Sequence, residues 1–276
     1  MAKVENEGLK IAALFQQLLT KLPENNRLER IWLLAKTDFK KRYYGSVLGL
    51  FWALINPLFR FFIYYFIFTV IFTSRTDNYA LFLFLGLIVW MFFQESTKTS
   101  ISIIRTKRFI LENIQINQLD VYYAVLMSTT LGFCFNFSVY FLASLFFDVH
   151  ISFMVLLLPV LFINLLIFVL GMMILLSVIH IFIRDIMHIW DLLTLMLFWF
   201  SGILFVVNQN SGDLKEVALA YLTPITGILI NLRAILIYGK GFDIRLFIYD
   251  FAYAIIFLAI AYTLLKKYYG LALEKL

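Results

Sequence analysis

Residues 151–183 read ISFMVLLLPVLFINLLIFVLGMMILLSVIHIFI, with no Asp, Glu, Lys or Arg and with His180 as the one ionisable group. Crossing the hydrocarbon of a bilayer takes roughly 20 apolar residues, so this run is long enough to span. Residues 121–147, just before it, again hold no charged residue. The whole chain follows suit: 63% of its residues are hydrophobic and 14% charged, and mean hydropathy is +0.90. A soluble domain carries about 25% charged residues, so most of this surface does not face water. The runs are continuous rather than alternating, which favours helices over a membrane barrel. Cys134, the single cysteine, lies inside an apolar run. That leaves no disulfide within the chain and no cysteine-based metal site.

Working outward, the pattern predicts an all-α integral membrane protein with six spans near 48–73, 79–98, 121–147, 152–182, 186–207 and 246–265. Residues 1–46 form an N-terminal region without the apolar segment of a signal peptide. Within it, 7–22 and 27–42 read as amphipathic helices. In the second, Leu28, Ile31, Trp32, Ala35 and Phe39 make an apolar stripe beside Lys36, Lys40, Lys41 and Arg42. Such a helix lies in a membrane interface or packs on a partner. Residues 98–120 form a polar loop, 208–245 an external segment and 269–276 a tail. In the external segment, 225–238 is apolar but too short to span, bounded by Pro224 and Gly239. It reads either as a pair of short helices dipping back into the membrane or as a helix lying flat on the lipid.

An even number of spans puts both termini on one side. The loops on that side collect the basic residues, among them Arg42, Lys98, Arg105, Lys107, Arg108, Arg184 and Lys266. By the positive-inside rule that side is cytoplasmic. The same rule accounts for the net charge of +6 without nucleic acid as a partner.

The residues exclude several chemistries. Tyr238-Gly-Lys-Gly241, the one Gly-Lys pair, lacks the first glycine and the Ser or Thr of a phosphate-binding loop, so the chain has no nucleotide site of its own. The third and fourth spans bury no Asp or Glu at their centres, as an ion-coupled carrier would. His180, Asp185, His188 and Asp191 crowd one turn; they fit either a metal or acyl-transfer site or the polar residues that helix ends collect. Glu95 and Lys98 are spaced to pair along one helix. Arg60 stands out. If its span exits near Ser74, it lies about 21 Å inside that boundary, where it either snorkels or faces a polar path and binds phosphate. The aromatic content of 18% suits lipid-facing packing and also stacking on sugar faces, with Tyr64, Tyr65, Trp90, Tyr122 and Tyr140 as candidates along a substrate path.

One stretch is specific. Asp38-Phe-Lys-Lys-Arg-Tyr-Tyr-Gly-Ser-Val-Leu-Gly-Leu-Phe-Trp-Ala-Leu-Ile-Asn-Pro57 resembles the entry to the first span of type-2 ABC exporter permeases of bacterial polysaccharides, those of O-antigen, capsule and teichoic acid. Phe182-Ile-Arg-Asp185 and Leu222-Thr-Pro-Ile-Thr-Gly-Ile228, followed by Leu232-Arg-Ala-Ile235, are similar to two further patches of that family, with Thr223 in place of the usual Asn. The resemblance covers residues 30–270. It implies a permease in the bacterial cytoplasmic (inner) membrane that moves lipid-linked polysaccharide as a homodimer. Two separate cytoplasmic ABC ATPase subunits would hold ATP and Mg, with no cofactor on this chain. It further implies an interface helix carrying Trp32, Lys36, Lys40, Lys41 and Arg42. Residues 98–120 would hold a coupling helix, setting Arg105, Lys107, Arg108, Glu112 and Asp120 near the ATPase. Outer gate helices would include Pro224 and Arg233. The alternatives are a membrane-embedded lipid or glycan transferase and a type-2 exporter of a drug or small lipid.

Overall fold

A computed structural model describes residues 27–43, 49, 51–71, 78–113, 116–147, 149, 152–207 and 213–275. The helix expected at 7–22 and residues 44–48 of the specific stretch lie outside them. All regular structure among the described residues is helical. In chain order the helices are α1 (Arg27–Tyr43), α2 (Phe51–Phe66, extended by a π-helical turn Ile67–Ile71), α3 (Tyr79–Ile101), α4 (Ile103–Thr106), α5 (Arg108–Asn113) and α6 (Gln118–Ser144). After a 3-10 turn (Phe153–Leu157) follow α7 (Leu158–Phe182), α8 (Ile186–Phe200), α9 (Leu214–Leu222), α10 (Pro224–Leu236) and α11 (Ile244–Lys275).

Among the described residues, five helical segments are long and apolar enough to cross a membrane: Phe51–Ile71, Tyr79–Ile101, Gln118–Ser144, Phe153–Phe182 and Ile244–Gly270. Local signals set their ends. Asn117 caps α6 by accepting from the Leu119 N–H at 3.0 Å, and Pro159 sits in the first turn of α7, where a missing N–H costs nothing. Every residue from Leu81 to Val89 is buried, so α3 is the central helix, packed by α2, α6, α7, α8 and α10. α11 runs against α7. By contrast α2 buries only Ala53 and Pro57.

Of the expected fifth span, 186–207, only the first part is helical. α8 stops at Phe200 after 15 residues, a rise of about 22 Å against a core of roughly 30 Å. Gly202 is the reason: its φ of +61° is left-handed, which glycine adopts freely and which ends a helix. The chain goes on through 201–207 without helix, and Ser201, Gly202, Ile203, Leu204 and Val207 are buried. Non-helical backbone at that depth is tolerated only inside protein. The expected last span is also longer than read, since α11 continues to Lys275 through the expected tail.

α9 and α10 meet at 99°. Pro224 opens α10 at a position suited to proline. α10 is buried almost all round, where a helix lying flat on lipid would leave one side open. It dips into the bundle beside α3, α7 and α11.

Candidate functional site

Two regions gather polar side chains. One lies at the end of the bundle that carries α1 and most of the basic residues, the basic end. There α1 packs on α6, with Ile31, Leu34 and Ala35 clustered against Ile110 of α5, Ile116 just before α6 and Ala124 of α6. The expected stripe is thus divided: Ile31 and Ala35 turn inward, and Leu28 and Trp32 stay exposed. Arg27 pairs with buried Asp120 at 2.6 Å, and Lys107 pairs with Asp38. The Asp120 carboxylate, by hydrogen bond and charge, raises the Arg27 guanidinium above its ordinary range. Burial lowers the Lys41 ammonium, Lys107 adds to the effect and Asp38 opposes it.

Beside this junction a cavity of about 510 Å³ opens between α2, α3 and α6. Trp52, Asn56 and Arg60 reach it from α2, spaced four residues apart on one helix face; Thr129, Gly132 and Asn136 do so from α6. Gln94, Glu95, Lys98 and Thr99 of α3 and Arg42 of α1 complete the polar lining. Glu95 and Lys98 do not pair with each other, as their spacing had suggested. Each turns to another helix: Arg42 meets Glu95 at 2.8 Å, and Lys98 meets Asp191 of α8 at 2.7 Å. Cross-helix partners come closer than the neighbour along α3.

The candidates taken from sequence are scattered. Arg60 lines the cavity. Trp90, Tyr122 and Tyr140 are buried in the packing of the single chain; Tyr122 bonds Ser177, and Trp90 leans on Phe198. Tyr65 is on the surface, and the Tyr64 ring lies tilted against Phe198. Of the residues read as coupling candidates, Arg105 is exposed, Arg108 bonds Glu112 within α5 at 2.6 Å, and Lys107 and Asp120 are engaged in holding α1. Asp191 is taken by Lys98, and among the described residues no three His, Cys, Asp or Glu side chains gather into a metal site.

The second region is at the opposite end. Arg233 of α10 is 4% exposed and has no carboxylate partner among the described residues. Its Nη1 donates to the Gly202 carbonyl at 2.7 Å, and its Nη2 to those of Ile203 and Phe82, both at 3.1 Å. The guanidinium lies 3.3 Å from the centre of the Phe82 ring, close enough for cation–π attraction. Tyr79 donates to the next carbonyl, Leu204, at 2.9 Å. The carbonyls freed where α8 ends are thus caught by α3 and α10. Gly86 makes room, because a β-carbon there would sit 2.8 Å from Arg233 Nη2. Asn231 exchanges two hydrogen bonds with the Asp243 backbone, tying α10 to the start of α11. Asp250 of α11 is fully buried against Gly227, and both its oxygens lack a hydrogen-bond partner. Arg233 was legible as a charge in an apolar stretch; Gly202 carried a signal as a glycine at a helix end, whereas Tyr79 and Phe82 carried none.

Comparison with known proteins gives these features a family. The model of the ABC-2 type transporter family matches residues 29–237. An O-antigen export system permease protein RfbA of Myxococcus xanthus is 24% identical over 202 residues, 73% of this chain and 78% of that protein. Two proteins of the same description from Klebsiella pneumoniae are 41% and 39% identical over 69 residues, 25% of this chain and 27% of each of theirs. With long apolar helices, a broken outer helix pair and a matched family model over most of its length, the chain belongs to the ABC-2 type transporter family and is a type-2 ABC permease.

Proposed function

We propose that this permease is the membrane subunit of an ATP-driven exporter that carries lipid-linked polysaccharide, of O-antigen, capsule or teichoic-acid type, across the bacterial cytoplasmic membrane. The observation that carries this reading is the likeness to the Myxococcus O-antigen export permease along most of both chains. In this reading two copies of the chain pair, and two copies of a cytoplasmic ABC ATPase hold ATP and Mg. The basic end faces the cytoplasm with both termini. α1 lies at the membrane interface with Trp32, Lys36, Lys40 and Lys41 outward. The poorly covered apolar side of α8 leaves room for the second copy.

The α4–α5 elbow presents Arg105, Arg108 and Glu112 to the ATPase. Lys107 is bound to Asp38 of α1, and Ile110 sits in the α1–α6 cluster. A push on the elbow therefore moves α1 and the start of α6 together. At the outer side Pro224 and Arg233 fix α10 to its own bundle, so the path opens as the two bundles part. Deleting the gene is expected to abolish surface polysaccharide while lipid-linked glycan accumulates inside. Polysaccharide reaching the surface at the normal level in that strain overturns the reading.

A further inference from the structure

We propose that the cavity between α2, α3 and α6 binds the phosphate-ester headgroup of a lipid, with Arg60 as the anchoring cation. The charges around the cavity are unequal in their bonding. Arg42 is matched by Glu95 and Lys98 by Asp191. Arg60 has no ion-pair partner among the described residues, so the lining keeps one uncompensated positive charge.

Its depth matters. Arg60 lies about 14 Å along α2 from Phe51, well past the ion pairs of the basic end. A lone charge at such a level in a membrane protein faces a watery cavity or a counter-ion. The planar guanidinium suits two oxygens of one phosphate group, which a lysine meets only as a point charge. Asn56 shares the cavity face of α2 with it. Across the cavity Asn136 donates to the Gly132 carbonyl at 3.0 Å, leaving its own buried Oδ1 without a partner. That oxygen is an acceptor for a hydroxyl, and phosphate esters of glycerol or of a sugar bring phosphate oxygens and hydroxyls together. A cavity of about 510 Å³ is within the usual size of small-molecule sites, roughly 300–1,000 Å³. The lipid tail has a place too. On the neighbouring side of α2, Ile55, Leu58, Phe59, Phe62, Ile63 and Phe66 line a shallow apolar groove beside the level of Asn56 and Arg60.

A membrane phospholipid and the lipid carrier of a glycan share this chemistry. The second source rests on the function proposed above; the site itself does not. The test uses the full-length chain in dodecyl maltoside micelles, a host that carries no phosphate. Retention of phosphatidylglycerol and of a polyprenyl diphosphate is compared with that of diacylglycerol and polyprenol by native mass spectrometry. At least one phosphate lipid is expected to bind about tenfold or more tightly than its phosphate-free counterpart. Arg60→Gln is expected to remove that preference, a loss of about tenfold. Arg60→Lys keeps part of it, and Arg184→Gln, an exposed cation at the same end, changes nothing. Arg60-dependent binding of the polyprenyl diphosphate, with displacement of phosphatidylglycerol, assigns the site to a lipid carrier. Arg60-dependent binding of phosphatidylglycerol alone keeps the phosphate site and withdraws its support from the polysaccharide reading. The proposal is overturned if neither lipid shows a phosphate preference, or if Arg60→Gln, with an unchanged melting temperature, retains both as the native chain does.

Discussion

At the basic end the described residues form four ion pairs between separate elements, Arg27–Asp120, Arg42–Glu95, Lys98–Asp191 and Lys107–Asp38, whereas at the opposite end Arg233 and Asp250 are buried with no charged partner among the described residues. The pairs of the first kind mostly keep one or both side chains in reach of water. Pairs of that kind contribute about 0–1 kcal/mol each and are readily exchanged, so helices joined by them can shift and re-pair. Arg233 is bound to three backbone carbonyls and a ring, on segments far apart in the chain. Moving α10 would leave the guanidinium and the carbonyls of Gly202 and Ile203 unpaired where all of them are buried. The difference separates a compliant end, suited to receive a push, from a locked end that moves only as a body.

Substitutions sharpen or break this comparison. The largest effect belongs to Arg233→Met. It keeps bulk but leaves the carbonyls of Gly202 and Ile203 short of donors, at about 1–3 kcal/mol for each buried group left unsatisfied. A loss of about 3 kcal/mol or more is expected in detergent unfolding; a loss below about 1 kcal/mol would mean that water reaches these carbonyls and the end is not locked. Asp250→Asn comes next, with the opposite sign. An unpaired carboxyl is costly to bury, and the amide has the same shape without the charge. Stability is expected to stay level or rise by about 1 kcal/mol, and a fall of that size would contradict the unpartnered state of Asp250. The smallest effect is that of Lys98→Ala, within about 0.5 kcal/mol, because Lys98 and Asp191 are each more than 40% exposed. A destabilisation comparable to that of Arg233→Met would erase the contrast between the ends.

Much of the fold was legible in sequence because apolar length is a one-dimensional property. The runs around 79–98, 121–147 and 152–182 became α3, α6 and the 3-10 turn with α7, with ends shifted by a turn or less. The broken outer pair was legible from Pro224, Gly239 and a run too short to span. α8 was overread because 201–207 is as apolar as a helix, and only Ser201-Gly202 marks the break. The polar sites were less legible. Arg60 could be picked out because a charge in an apolar run is rare. Trp90, Tyr122 and Tyr140 could not be placed, since an aromatic residue looks the same in sequence whether it packs a core or faces a path. Arg27 and Asp120 are far apart in the chain, and nothing local announces that they meet. Glu95 and Lys98 show the converse: a favourable spacing along one helix lost to partners on two others.

The most direct measurement is hydrogen–deuterium exchange on the permease assembled with the ATPase subunit proposed above, with and without ATP. The account predicts that ATP changes protection in α1, in the α4–α5 elbow and at the start of α6, while the amides of α10 and of residues 201–207 exchange equally slowly in both states. Loss of protection in α10 on adding ATP, with the elbow unchanged, would contradict it.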